Sequence, residues 1–242
     1  MKATIIKRRL IYYSIGVCLM AMMFSGCRKF FGLENQKNED HPTTTIDPHI
    51  HKSAWQYLRE RALGAAPNDT IFKRMYQAII YSGIDSAEYT KPNRTFIFLH
   101  NDAVYRLSGS VVDSIGSYFG KYKVGTPPKA ATKWEDYPQL QVKNYLLSLI
   151  VEGEHTFENV TPDPEFFKTL MPLNYDPFNP ESLIAFRVIN DRDSRFRIND
   201  FPGSAVPTPN LASPGLQART AGILSTNGPI HVVDRVLFYK KQ

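Results

Sequence analysis

The sequence predicts an α+β fold, on three observations. Apolar residues recur at helical spacing between positions 53 and 83. Short runs rich in β-branched and aromatic residues, at 94–99 and 184–189, read as buried strands. Near the end, Asn227-Gly228 precedes another such run and reads as a tight hairpin turn. On that strand Ile230, Val232, Val236 and Phe238 are expected to share one face with Asp234. An acid on an apolar face needs a hydrogen-bond partner, so Asp234 is expected to tie the strand to a neighbouring loop.

The elements follow in order. Residues 1–26 have the anatomy of an export signal: Lys2, Lys7, Arg8 and Arg9, then an apolar stretch over 10–24. That stretch is short for a bilayer-spanning helix, which needs about 20 apolar residues. The formal net charge is +6, but those four cations face no acid, so the remainder carries +2. The basic balance therefore belongs mainly to the leader, and a nucleic-acid partner is not expected. Cys18 would leave with the signal, which makes Cys27 the one remaining cysteine. No disulfide or multi-cysteine metal site follows from that.

Residues 27–52 are polar and lack periodicity, and read as a flexible tether. His41, His49 and His51 lie on it; as a solvated linker it makes a weak, unselective metal site. From 53 onward the chain turns globular. Ser53 caps a helix reaching 61 or 63, with Trp55, Leu58 and Ala62 on one stripe. Asp69-Thr70 starts a second helix that turns Ile71, Phe72, Met75, Ile79 and Ile80 to the core, and Gly83 ends it. After the strand at 94–99, residues 100–105 turn into a helix whose free N–H groups Asn101 and Asp102 can satisfy. A further short helix is expected over 111–119, an inserted loop over 120–138, and a helix running into a strand over 140–153. A proline-bearing insertion over 161–180 precedes the strand at 184–189. Asp191, Asp193 and Asp200 lack the spacing of a calcium loop and read as a hairpin turn. A Pro/Gly/Ser-rich loop over 202–214 leads to the strand at 217–224 that pairs across Asn227-Gly228.

Two stretches resemble known families. Phe24-Ser25-Gly26-Cys27 resembles the lipobox of bacterial lipoproteins. That resemblance implies cleavage before Cys27 and a diacylglycerol on its thiol. Arg28 stands where an inner-membrane retention Asp would be, so an outer-membrane anchor is implied. These residues do not decide its orientation; the cell surface is expected ahead of the periplasmic face.

The segment Thr226-Asn227-Gly228-Pro229-Ile230-His231-Val232-Val233-Asp234 resembles the closing signature of fasciclin-like domains. Thr95, Phe96, Asn101, Asp102 and Ala103 resemble the family's upstream signature, with Leu99 and His100 in place of its Pro and Thr. Over 53–239 the resemblance implies a single domain: a wedge-like pair of β-sheets with several helices on one side, here enlarged by inserted loops. Two adhesive features of animal relatives are not carried over. Ser148-Leu149 occupies a Tyr-His pair, and Gly222-Ile223 an Asp-Ile pair.

Catalysis is not expected. His231 and Asp234, three apart on a strand, point to opposite faces and make a poor base and orienter. No nucleophile elbow or phosphate loop is present in the sequence, and no cofactor or metal is expected. The expected function is a surface or envelope interaction module that contacts glycan, matrix or a partner protein. Trp134, Tyr137, Tyr175 and Phe178 are its candidate binding-loop residues, since aromatics in loops suit such contacts. The alternative is an accessory lipoprotein of an outer-membrane uptake or assembly complex. Asp69-Thr70, Asp85-Ser86 and Asp113-Ser114 also fit an O-glycosylation sequon, against which stands ordinary helix capping.

Overall fold

The computed structural model describes residues 47–64, 69–202 and 214–240. The leader, Cys27, His41 and most of the 202–214 loop lie outside them. The described elements belong to one compact unit, residues 48–242.

Helix α1 spans Ala54–Leu63, and the Ser53 side chain accepts from the Gln56 N–H at its start. Ala54, Leu58 and Ala62 are its buried stripe; Trp55 is half-buried. Helix α2 spans Lys73–Ser82 and stops at Gly83, whose φ of 64° is the left-handed geometry glycine adopts without strain. It begins later than Asp69-Thr70 suggests. Asp69 is instead 2.7 Å from Arg61. Met75 and Ile79 are buried as expected, but Ile80 is 60% exposed, because it falls on the opposite face from Ile79's neighbours.

Strand β1, Arg94–Leu99, runs into the short helix α3, Asn101–Val104. The stretch expected as a helix over 111–119 divides differently. Leu107–Ser108 (β2) and Val111–Val112 (β3) form a two-stranded ribbon, and helix α4 is confined to Tyr118–Lys121. A 3-10 turn at Trp134–Asp136 precedes helix α5, Gln139–Leu147, and strand β4, Ile150–Glu152. The proline-bearing insertion contains a strand the sequence did not announce, β5, Glu165–Lys168. It pairs with β6, Leu183–Ile189, which turns back through 190–194 into β7, Arg195–Ile198. The last strands are β8 (Leu216–Gln217), β9 (Thr220–Ser225) and β10 (Gly228–Val233).

These strands build two four-stranded sheets, β4-β1-β10-β9 and β5-β6-β7-β8. The sheets are joined at both edges. Val151 bridges Thr169 on one side, and on the other Arg219 N donates to Val232 O while Ala218 N donates to Phe196 O. The α+β class expected from the sequence is therefore present.

Strand β10 is parallel to β1, in register Phe96 with Ile230 and Phe98 with Val232, and is buried along its whole length. Both of its faces are used. Phe96 and Phe98 meet Tyr89 and Phe72 on the helix side, with Phe72 and Phe98 ring centres 5.3 Å apart. Each such ring contributes about 1.5–3 kcal/mol on burial. On the other side His231 stacks on Phe196 of β7 at 3.9 Å, within a layer that includes Phe186, Phe167 and His155.

The hairpin turn differs from its expected form. The two-residue loop is Thr226-Asn227, and Gly228 already pairs with Ser225. Gly228 has a φ of 139°, and a Cβ there would lie 1.8 Å from the Arg94 carbonyl oxygen, so β1 passes too close for any side chain. Strand β10 ends at Val233. Asp234 thus lies beyond the strand, and does not share an apolar face with Val236 and Phe238. Residues 49–52, expected in the tether, run along this same edge. His49 bridges Leu224, Ile50 N donates to Leu224 O, and Thr226 N donates to Lys52 O.

Candidate ligand-binding pocket

Two of the residues that carry the resemblance, Asn227 and Thr95, are struts. Asn227 is buried, and its amide oxygen accepts from the Ala54 N–H at 2.8 Å, the start of α1. Its amide nitrogen donates to the carbonyls of Tyr89 and Lys91, both at 3.1 Å. One side chain therefore ties the hairpin to α1 and to the approach to β1. Thr95 Oγ1 donates to Gly153 O and accepts from His155 N, each at 2.8 Å. Phe96, Ala103 and Ile230 are core, and Thr226 is exposed.

Asn101 departs from its expected role. Its side chain does not cap its own helix. Its oxygen accepts from Arg74 N at 3.0 Å and its nitrogen donates to Thr70 O at 2.7 Å, so it organises the start of α2. The cap of α3 is His100, whose Nδ1 accepts from Asp102 N at 3.2 Å. Burial lowers the His100 pKa, which suits a neutral ring with an acceptor at Nδ1.

His231 is fully buried. Its Nδ1 accepts from Gly222 N at 3.2 Å, so Nε2 carries the hydrogen given to His155 O at 2.9 Å. Burial pushes its pKa down to about 4. Asp234 faces elsewhere, toward Arg106 at 3.3 Å and Arg219 at 3.9 Å. The two residues do not meet. His231 acts as a neutral hydrogen-bonding core residue, and Asp234 as a partner for arginine.

The four aromatic candidates separate into two pairs. Trp134 and Tyr137, expected in a binding loop, are each only 3% exposed. Trp134 Nε1 donates to Arg74 O at 2.8 Å, and Tyr137 Oη donates to Tyr122 O at 2.6 Å. They pack the 120–138 insertion onto the domain. Tyr175 and Phe178 remain 38% and 42% exposed, on the loop between β5 and β6.

These two rings stand at the mouth of a cavity of about 410 Å³, a size typical of small-ligand sites. Its inner wall is aromatic. Tyr118 packs against Tyr122 and against Tyr145, both at 4.6 Å between ring centres, and Phe238 and Tyr239 close the far side. Gln141 and Asp176 supply its amide and its carboxylate. The Asp176 Oδ1 accepts from Phe178 N at 2.8 Å, which holds the loop tip in shape. Gln141 Nε2 donates to Tyr118 Oη at 3.3 Å, leaving its own oxygen for a ligand. Burial raises the pKa of Tyr118, Tyr122, Tyr145 and Tyr239, so these phenols stay protonated. Tyr118 opens the short helix α4 and Tyr122, four residues on, is its C-terminal cap; Gln141 and Tyr145 are four apart on α5. That spacing puts each pair on one face. The sequence places Gln141 and Tyr145 in an expected helix, but it assigns Tyr122 to the inserted loop over 120–138 and does not show that the two faces converge.

No family model matches the chain, and no curated protein matches it. Among solved structures it is similar to the FAS1 domain pair of the insect cell adhesion molecule Fasciclin I, with a TM-score of 0.42 and 14% identity. The match covers 77% of this chain, which spans about half (51%) of that one.

Proposed function

We propose that this chain is a non-catalytic recognition module of the cell envelope, held to the outer membrane through a lipid on Cys27, and that the tyrosine-lined pocket takes a glycan. The observation that carries this reading is the pocket mouth. Tyr175 and Phe178 present exposed rings on either side of Asp176. Ring faces pack on the C–H faces of a sugar, while a carboxylate, an amide and phenols serve its hydroxyls. The titratable groups nearest the core support a binding role. His155 and His231 both serve backbone groups, and burial lowers the pKa of each.

The test is binding of the purified chain to immobilised envelope and matrix glycans. The native chain should bind saturably, and the Tyr175→Ala/Phe178→Ala double variant should lose about tenfold or more, as buried aromatic contacts do. Equal binding by both would remove the pocket from the function. Retention only with an envelope protein complex, and no glycan binding, would favour the accessory-subunit alternative. Anchorage is checked by fractionation: Cys27→Ser should move the chain out of the membrane pellet.

A further inference from the structure

The outer face of the second sheet carries three arginines, Arg187 on β6 and Arg195 and Arg197 on β7. Two are paired: Arg187 with Asp200 at 3.0 Å, and Arg195 with Asp191. Arg197 has no carboxylate partner among the described residues, although Arg187 lies directly opposite it across the ladder. Like charges in that position are destabilising. Its Nε is moreover shielded from solvent and makes no hydrogen bond. A buried donor left unmade on a charged group is costly, and native structures rarely leave one without a reason.

Arg197 lines a recess of about 360 Å³ together with Arg219 and Arg235. Arg235 is exposed and has no ion pair among the described residues; Arg219 reaches Asp102 and Asp234 only loosely, at 3.6 and 3.9 Å. The carboxylates around the recess are already engaged. Asp234 accepts Arg106 at 3.3 Å, and Asp200 is held by Arg187. Asp113, whose pKa hydrogen bonds from Gly116 and Ile115 lower, sits in the field of Arg106 and Arg235. Asp102, Asp113 and Asp234 are thus shared among Arg106, Arg219 and Arg235, and none of them reaches Arg197.

We propose that the recess formed by Arg197, Arg219 and Arg235 binds a tetrahedral oxyanion group, a phosphate or sulfate. Guanidinium forks match such an anion in geometry as well as charge, and the anion supplies the acceptor that Arg197 Nε lacks. This site is separate from the tyrosine pocket and does not depend on it.

The experiment titrates inorganic phosphate and then sulfate into the purified full-length chain at low ionic strength, followed by calorimetry. Saturable binding weakened by salt is expected. Arg197→Gln should weaken it about tenfold or more. Arg197→Lys should restore little, because it returns the charge without the Nε donor. Arg235→Gln, at an exposed position that leaves the fold unstressed, should also weaken binding. Arg59→Gln, on the exposed face of α1, should not. Absence of saturable phosphate binding would overturn the proposal, as would native affinity in both Arg197→Gln and Arg235→Gln. Phosphatidylcholine vesicles with and without phosphatidate separate the sources of the group. Recruitment that Arg197→Gln abolishes points to a lipid phosphate; phosphate binding without recruitment points to a soluble or glycan-borne one.

Discussion

Replacing Asn227 should reveal how much of the fold hangs on one turn residue. In the native chain its amide makes three hydrogen bonds with backbone groups of two distant segments, at 2.8, 3.1 and 3.1 Å. Asn227→Ala removes all three and leaves the first N–H of α1 with no acceptor. At about 1–1.5 kcal/mol for each bond, the loss is about 3–4.5 kcal/mol. Asn227→Asp is the sharper probe because it keeps the shape. Its second oxygen would stand where the amide nitrogen does, facing the carbonyls of Tyr89 and Lys91. Ionised, it is repelled; protonated, it can donate to one of them. Its folded pKa is therefore raised above the usual carboxylate value of about 3.9. The sign follows: the unfolded chain ionises first, so the variant loses stability as pH rises from about 4 and levels off above the raised pKa. The assay is urea unfolding followed by tryptophan fluorescence, each variant compared with the native chain at the same pH. An Asn227→Ala cost under about 1 kcal/mol would refute the strut. So would an Asn227→Asp penalty that is the same at pH about 4 and about 7.

Two more predictions use the same unfolding assay. His231 has a folded pKa of about 4 against an ordinary 6.5, so between those values the unfolded chain holds more protons. Its contribution is complete above pH 6.5 and is lost as pH falls toward 4, by about 3 kcal/mol; in His231→Gln this slope should vanish relative to the native chain. Trp134→Ala should cost about 3–5 kcal/mol, as loss of a large buried ring does, whereas Tyr175→Ala/Phe178→Ala should stay within about 1 kcal/mol. Comparable costs for the two would mean that the loop between β5 and β6 is as much core as the 120–138 insertion.

Helix ends set by capping and the apolar strand runs came out as expected, while the helix over 111–119 and the helix start at Asp69-Thr70 did not. Ser53 and Gly83 bound helices because capping involves only the adjacent backbone. The runs at 94–99 and 184–189 became strands because β-branched and aromatic residues suit a pleated, buried surface. Gly228 was read as half of the hairpin turn, whereas it already belongs to β10, and what requires a glycine there is the Arg94 carbonyl on another strand. Asn101 was read as a cap and is one, for a helix that starts 28 positions earlier. Trp134 and Tyr137 looked like loop aromatics because the composition around them is that of a loop; whether a loop ring faces water or the core depends on what packs above it.

By itself, then, the sequence determined the mixed α+β class, the positions of the main helices and strands, and, to within a residue, the hairpin near the end. These depend on period, propensity and steric freedom, all properties of a few consecutive residues. Only the tertiary structure decided that β10 is buried on both faces, that Asp234 answers to Arg106, and that tyrosines from two helices share one cavity. It also decided that Arg197 is left without the carboxylate its neighbours have. Each of these is a pairing between groups far apart in the chain, and no local pattern records which distant partner the fold will bring.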